Sequence, residues 1–205
     1  MSRVEDVGHK NYMNVLGSDG TFRLAAQEGD EGAVRRDYET SDGKKGTKFE
    51  KVYRSVGGKI VDMELYEGDY GTNIIIGVEH EDGIDHLSFN TGTPYGEDLM
   101  KKLPSIDFTK EVSFAPYNFN DDNGKNRRGV TVIQDDEKVQ NFFFDPKKKE
   151  AINGLEDIKL PKGKTISKDK WKAYFLEVRV FLLEYVQEHI LPQFTKEELP
   201  EKEGF

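Results

Sequence analysis

A chain of 205 residues with 30 Lys and Arg against 39 Asp and Glu carries a formal charge of -9, which argues against a general nucleic-acid binder, for which a basic domain is the ordinary expectation. With no cysteine, neither a disulfide framework nor a thiolate zinc site can be built, as suits a reducing cytoplasm. The start of the chain has no apolar leader and no uncharged apolar run reaches the roughly 18 residues of a membrane span, so the expectation is a soluble, cytoplasmic protein with no membrane partner.

In chain order, residues 1–20 show no sustained pattern and are read as a flexible terminus. Residues 21–166 are read as the folded domain, 167–192 as a helix packed on it, and 193–205 as an acidic tail. Thr21 to Ala26 alternates as a short strand with Phe22 and Leu24 inward. Ala33 to Val56 then reads as a β-hairpin across a Ser-Asp-Gly-Lys-Lys-Gly connection. A turn centred on Gly43 and Lys44 sets Tyr38 against Phe49, Arg36 against Lys51 and Val34 against Tyr53, all on one face. Residues 33–54 hold seven Lys and Arg against four acids, so the ribbon is basic in an acidic chain. Aromatic rings among cations suit a polyanion with flat, stackable groups, and single-stranded nucleic acid is the obvious one. An isolated cross-strand Tyr-Phe pair is more often plain sheet stabilisation than a binding platform, and it is the basic residues that shift the reading.

Apolar parity switches between Val56 and Val61, which predicts one long strand bent by a bulge at Gly57-Gly58. The next hairpin turns at Asp82-Gly83, placing Ile76 opposite Phe89 and Val78 opposite Leu87. In that register His80 and His86 fall on opposite faces, which argues against a shared metal. Thr93 to Leu103 has the start signal and spacing of a short helix ended by Pro104. Lys110 to Phe119 alternates with Val112 and Phe114 inward and Tyr117 and Phe119 outward. An Asn123-Gly124 turn then pairs Phe119 with Arg128 and Tyr117 with Val130, which repeats the aromatic and basic theme or forms only a solvated tip. Lys168 to Leu191 is a long helix with Trp171, Phe175, Val178, Leu182, Tyr185 and Val186 on one stripe.

From Lys48 the order is strand, strand, strand, helix, strand, strand. That predicts a mainly β protein built on an OB-fold, a five-stranded barrel, with an added N-terminal hairpin and one long C-terminal helix. Such barrels bind oligonucleotides or sugars across strands 2 and 3 and adjoining loops, and the loop of residues 120–128 holds the basic position. No nucleotide-binding or nucleophile motif occurs, so a binder that needs no cofactor is expected rather than an enzyme. The doublets Asp121-Asp122 and Asp135-Asp136 leave a metal-dependent nuclease as a minor alternative, and a protein-binding β-barrel module docking through its helix is the main rival.

The runs GAVRRDYETSDGKKGTKFEKVY, IDFTKEVSFAPYNFNDDNGKNRRGVTVIQ and WKAYFLEVRVFLLEYVQEHILPQF resemble bacteriophage single-stranded-DNA-binding proteins of the OB-fold type, over most of residues 32–194. The resemblance implies a replication or recombination protein that coats single strands in the infected bacterial cytoplasm. The contacts it implies are Arg36, Tyr38, Lys48, Phe49, Lys51, Tyr53, Tyr117, Phe119, Arg127 and Arg128. The end of the chain, with Glu197, Glu198, Glu201, Glu203 and a final Phe205, resembles the acidic tails through which such proteins recruit replication partners, although it lacks their Asp-rich tip. A merely solubilising terminus has the same composition.

Overall fold

Alternating segments with few β-breakers pair edge to edge along most of the chain. The computed structural model describes residues 11–40, 42–156 and 165–195. Strands β1 (Asn11–Leu16), β2 (Thr21–Ala26), β3 (Val34–Glu39) and β4 (Lys45–Tyr53) come first. They are followed by β5 (Val56–Gly68), β6 (Gly71–His80), β7 (Gly83–Asn90), helix α1 (Pro94–Met100), β8 (Glu111–Asn120), β9 (Asn126–Gln134) and β10 (Glu137–Lys138). These ten strands form one sheet in the order β10-β9-β8-β5-β6-β7-β1-β2-β4-β3. A separate small ribbon, β11 (Phe144–Asp145) with β12 (Glu150–Ala151), precedes α2 (Lys168–Tyr185).

The expected order of three strands, a helix and two strands is present from β5 to β9, but the sheet does not close into a barrel. The far edge of β7 is occupied by β1, which runs parallel to it from Asn11 opposite Asp85 to Asn14 opposite Ser88. Residues 11–20 are therefore not a flexible terminus: Met13 is buried and β1 pairs with β2, and of the stretch 1–20 it is residues 1–10 that lie outside the described part. The single bent strand expected from Lys48 is two strands separated at Arg54 and Ser55. The parity switch is real but sits at Val61, where Ile60 faces Val78 and Asp62 faces Gly77. β5 serves two neighbours, pairing with β8 over Val56 to Lys59 and with β6 from Lys59 onward.

The sheet curls over its own inner face. Phe22 of β2, Phe89 of β7 and Phe114 of β8 meet in series, with ring centroids 5.7 and 6.4 Å apart, although several strands separate β2 from β8 along the sheet. Helix α1 starts where expected: Pro94 fills its first position, the Thr93 hydroxyl accepts a hydrogen bond from the Gly96 amide, and Leu99 and Met100 are buried. Its Asp98 carboxylate accepts from the Val130 amide at 2.8 Å and from Lys102 at 2.8 Å, which fixes the helix on β9.

The C-terminal helix departs from a regular α-helix earlier than its pattern implies. After Tyr185 the chain winds through a wider turn, Val186–Ile190, and a tighter one, Leu191–Gln193, which contains Pro192. Only the second half of the predicted stripe is buried. Val178, Leu182, Val186 and Ile190 join the core beside Phe143, whereas Trp171 and Phe175 remain 37% and 44% exposed. No described helix is long and apolar enough to cross a membrane.

Candidate nucleic-acid interface

The basic hairpin is closed by a turn from Thr40 to Lys44 in which the Gly43 amide donates to Thr40 O and the Thr40 amide donates to Lys44 O, both at 2.8 Å. Gly43 takes the left-handed backbone, φ 80°, that this loop demands. The turn thus spends Gly43 as its last loop residue and not as its centre. Arg36 faces Lys48, Tyr38 faces Gly46 and Arg35 faces Phe49, a register three residues from the expected one. An odd slip reverses the face of one strand relative to the other. The six residues expected on a shared face are therefore divided.

Arg36, Tyr38 and Lys48 lie on the outer face. The Tyr38 ring covers Gly46, where an added Cβ would lie 2.6 Å from it, and Lys48 Nζ sits 5.0 Å from the ring centroid. Phe49, Lys51 and Tyr53 lie on the other face, opposite Ala26, Leu24 and Phe22 of β2, with Tyr53 packed on the core. Arg36 is also not waiting for an anion: its Nε and Nη2 each donate at 2.7 Å to the buried carboxylate of Glu50. The hydrogen bond from Arg36 holds the Glu50 carboxyl below its ordinary value, against the opposing effect of burial, and raises the Arg36 guanidinium in return.

A carboxylate depressed in the folded state contributes stability that is fully present above its unfolded pKa and is lost as the pH falls through the folded one. Glu50→Gln will accordingly cost about 1.5–3 kcal/mol at neutral pH. Thermal melts taken on acidification will show the variant losing less further stability than the wild type below the ordinary glutamate range.

The second hairpin is closed by the same device. The Gly124 amide donates to Asp121 O at 2.8 Å, the Asp121 amide donates to Lys125 O at 2.9 Å, and Gly124 has φ 72°. The Asp121 carboxylate staples this turn, accepting from the Lys125 amide at 2.9 Å, the Asn123 amide at 3.1 Å and Arg127 Nε at 2.8 Å. These bonds, the Lys125 amide foremost, hold it below the usual carboxylate range. Asp135 and Asp136 form another turn with positive φ, and Asp135 pairs with Lys110 at 2.6 Å. One member of each doublet is thus engaged, Asp121 within its turn and Asp135 with Lys110, and the described residues contain no cluster suited to a metal ion.

Phe119 faces Arg127 and Tyr117 faces Gly129, one residue from the expected register, so Arg128 stands opposite Asn118 on the reverse face from Phe119. Tyr117 and Phe119 form a ladder 5.7 Å between centroids, and Phe119 is 53% exposed. Tyr117 lies over Gly129 as Tyr38 lies over Gly46. Burial beside Asp98 raises its phenol above the ordinary value, so it stays neutral.

Tyr117 stands between two clefts. One, of about 730 Å³, is lined by Tyr117, Phe175 and the cations Arg128, Lys101, Lys172 and Arg179, together with the carboxylates Glu97 and Asp98. The other, of about 690 Å³, is lined by Tyr117, Phe119, Arg127, Lys102 and Lys138, and by Asp121, which is paired with Arg127. Glu97 accepts from Lys101 at 2.6 Å and from Arg179 at 3.4 Å. Among the described residues, Arg128, Lys138 and Lys172 form no ion pair. The outer face of the first hairpin lines a separate cleft of about 590 Å³ with Tyr12 and Arg23. The sequence therefore identifies Tyr117, Phe119, Arg127 and Arg128 as neighbours but misses Lys101, Lys138, Lys172, Phe175 and Arg179, which the fold brings in from α1, β10 and α2.

The turn between β1 and β2 buttresses this site. Asn118 Nδ2 donates to Gly17 O at 3.0 Å and Ser18 O at 2.9 Å, and Gly20 lies against the backbone of Tyr117 and Asn118. His80 Nδ1 accepts from the Asp82 amide, and its Nε2 donates to the Asp85 carboxylate at 3.0 Å, on the face opposite His86, as the strand pattern requires. The tail residues Glu197, Glu198, Glu201, Glu203 and Phe205 lie outside the described residues. Comparisons with family models, with curated proteins and with solved structures each find no match.

Proposed function

We propose that this chain is a sequence-tolerant single-stranded-DNA-binding protein that acts by binding alone, in phage DNA replication or recombination within the bacterial cytoplasm. Its β5 to β9 region would serve as an OB-like platform. The observation that carries this reading is the Tyr117-Phe119 ladder, set between two clefts with Arg128, Lys172 and Lys138 left without carboxylate partners. Aromatic rings stack any unpaired base, and uncompensated cations track the phosphates between them. The net charge of -9 is compatible with this because the acids that line the clefts, Glu97, Asp98 and Asp121, are paired with Lys101, Arg179, Lys102 and Arg127, and eight others lie against one Lys within residues 57–90. The acidic tail would address partner proteins.

Fluorescence anisotropy with labelled oligo-dT and a matched duplex tests the reading. Binding will favour the single strand, and if about five phosphates are neutralised the log-log salt slope will be about -3.5. Equal affinity for duplex, or a slope near zero, would count against it. A protein-docking role is the second reading, favoured by the apolar side chains Trp171, Phe175, Leu176 and Val180, which α2 leaves 37–63% exposed.

A further inference from the structure

The two halves of α2 have different surroundings. From Val178 onward its inward residues are buried, whereas Trp171, Phe175 and Leu176 stay in water at 37%, 44% and 63% exposure. Trp171 and Phe175, one helical turn apart, stack with centroids 5.6 Å apart and planes at 21°. Such a ring pair covers apolar area on each side but leaves its outer faces open. Phe175 and Leu176 also line the cleft whose opposite side carries Tyr117.

We infer that the N-terminal half of α2 is the second wall of the single-strand cleft, so that an unpaired base entering it meets Tyr117 on the sheet side and Phe175 on the helix side. The inference rests on the DNA-binding reading and adds a helical stacking surface to it. Each wall also brings an unpaired cation, Arg128 from β9 and Lys172 from α2, in position to hold the phosphates flanking that base. An apolar partner seated here would bury both charges without neutralising them, whereas a polyanion satisfies them. The wall is fixed in place by two ties: Tyr174 OH donates to Glu156 O at 3.2 Å, and Arg179 reaches Glu97 of α1.

Trp171 is the one tryptophan of the chain, so intrinsic emission reports on this wall alone. The full chain is titrated with unlabelled oligo-dT while tryptophan emission is recorded, in parallel with anisotropy of a labelled oligo-dT. Emission will change saturably with the affinity that anisotropy gives. Phe175→Ala will weaken binding about tenfold with the melting temperature retained, and Phe175→Leu, which keeps the bulk but removes the ring, will weaken it similarly. If the oligonucleotide binds by anisotropy while Trp171 emission stays constant and both variants bind like the wild type, the second wall is overturned and the DNA-binding reading survives. If neither signal registers oligo-dT, both fall.

Discussion

Tyr117→Ala will weaken binding to oligo-dT by about five- to a hundredfold, and Tyr53→Ala will leave that affinity within about twofold. The range follows from a stacking contribution of roughly 1–3 kcal/mol per base and the tenfold change in affinity that each 1.4 kcal/mol produces. Tyr117 is the sensitive position because it lines both clefts, so its removal opens the partition between them. Its ring rests on Gly129, which offers no side chain to take its place. Tyr53 packs on the core from the inner face of the sheet, so its loss appears as a lower melting temperature. Anisotropy titrations and thermal melts on both variants separate the two effects. The reverse pattern, with Tyr53 controlling affinity and Tyr117 neutral, would return the binding surface to the first hairpin.

Gly20→Val will lower the melting temperature by roughly 4–20 °C. Gly20 has φ 66°, and an added Cβ would lie 2.5 Å from the carbonyl carbon of Tyr117. The left-handed backbone costs a valine roughly 1–2 kcal/mol, and forcing bulk into a closed contact adds roughly 1–3 kcal/mol. For a chain of this size each kcal/mol is worth roughly 2–4 °C. The collision is with backbone, so no rotamer change relieves it. Gly17→Val in the same turn is the control, because nothing lies within 4 Å of a Cβ there. It will change stability by no more than about 0.5 kcal/mol. Calorimetry on the pair checks both values, and a Gly20 variant as stable as the Gly17 variant would show that the turn does not seat on β8.

Most strands and both helices are legible in the sequence, since alternation and the Thr93-Pro94 start signal act locally. Pairing partners are less so. In both basic hairpins the tripeptide ending Asp/Asn-Gly-Lys invites a two-residue turn, but each loop closes through three residues with its glycine last, between Thr40 and Lys44 and between Asp121 and Lys125. Slips of three and one residues put Phe49, Lys51, Tyr53 and Arg128 on unexpected faces. The hairpin between β6 and β7 also slips, by two, with His80 opposite Gly83. An even slip preserves every face, so Ile74, Ile76, Leu87 and Phe89 still point into the core. The open sheet was illegible for a different reason: β1 reaches β7 across most of the N-terminal half, and no local pattern encodes a parallel partner. On α2 the periodic stripe states which residues share a side but not where the core beneath it ends. Trp171 and Phe175 therefore looked as internal as Leu182.

That parallel joint orders events during synthesis. The β6-β7 and β8-β9 ribbons need only short searches, but β1 has no edge to settle on until the chain has been made through Asn90, and the loop to be closed spans residues 17–82. The leading four strands are thus made early and docked late, a nascent leaf waiting for its stem. The dense charge of residues 33–54 suits such a late-docking leaf whatever the protein binds, because charged side chains discourage edge-to-edge pairing while a ribbon waits.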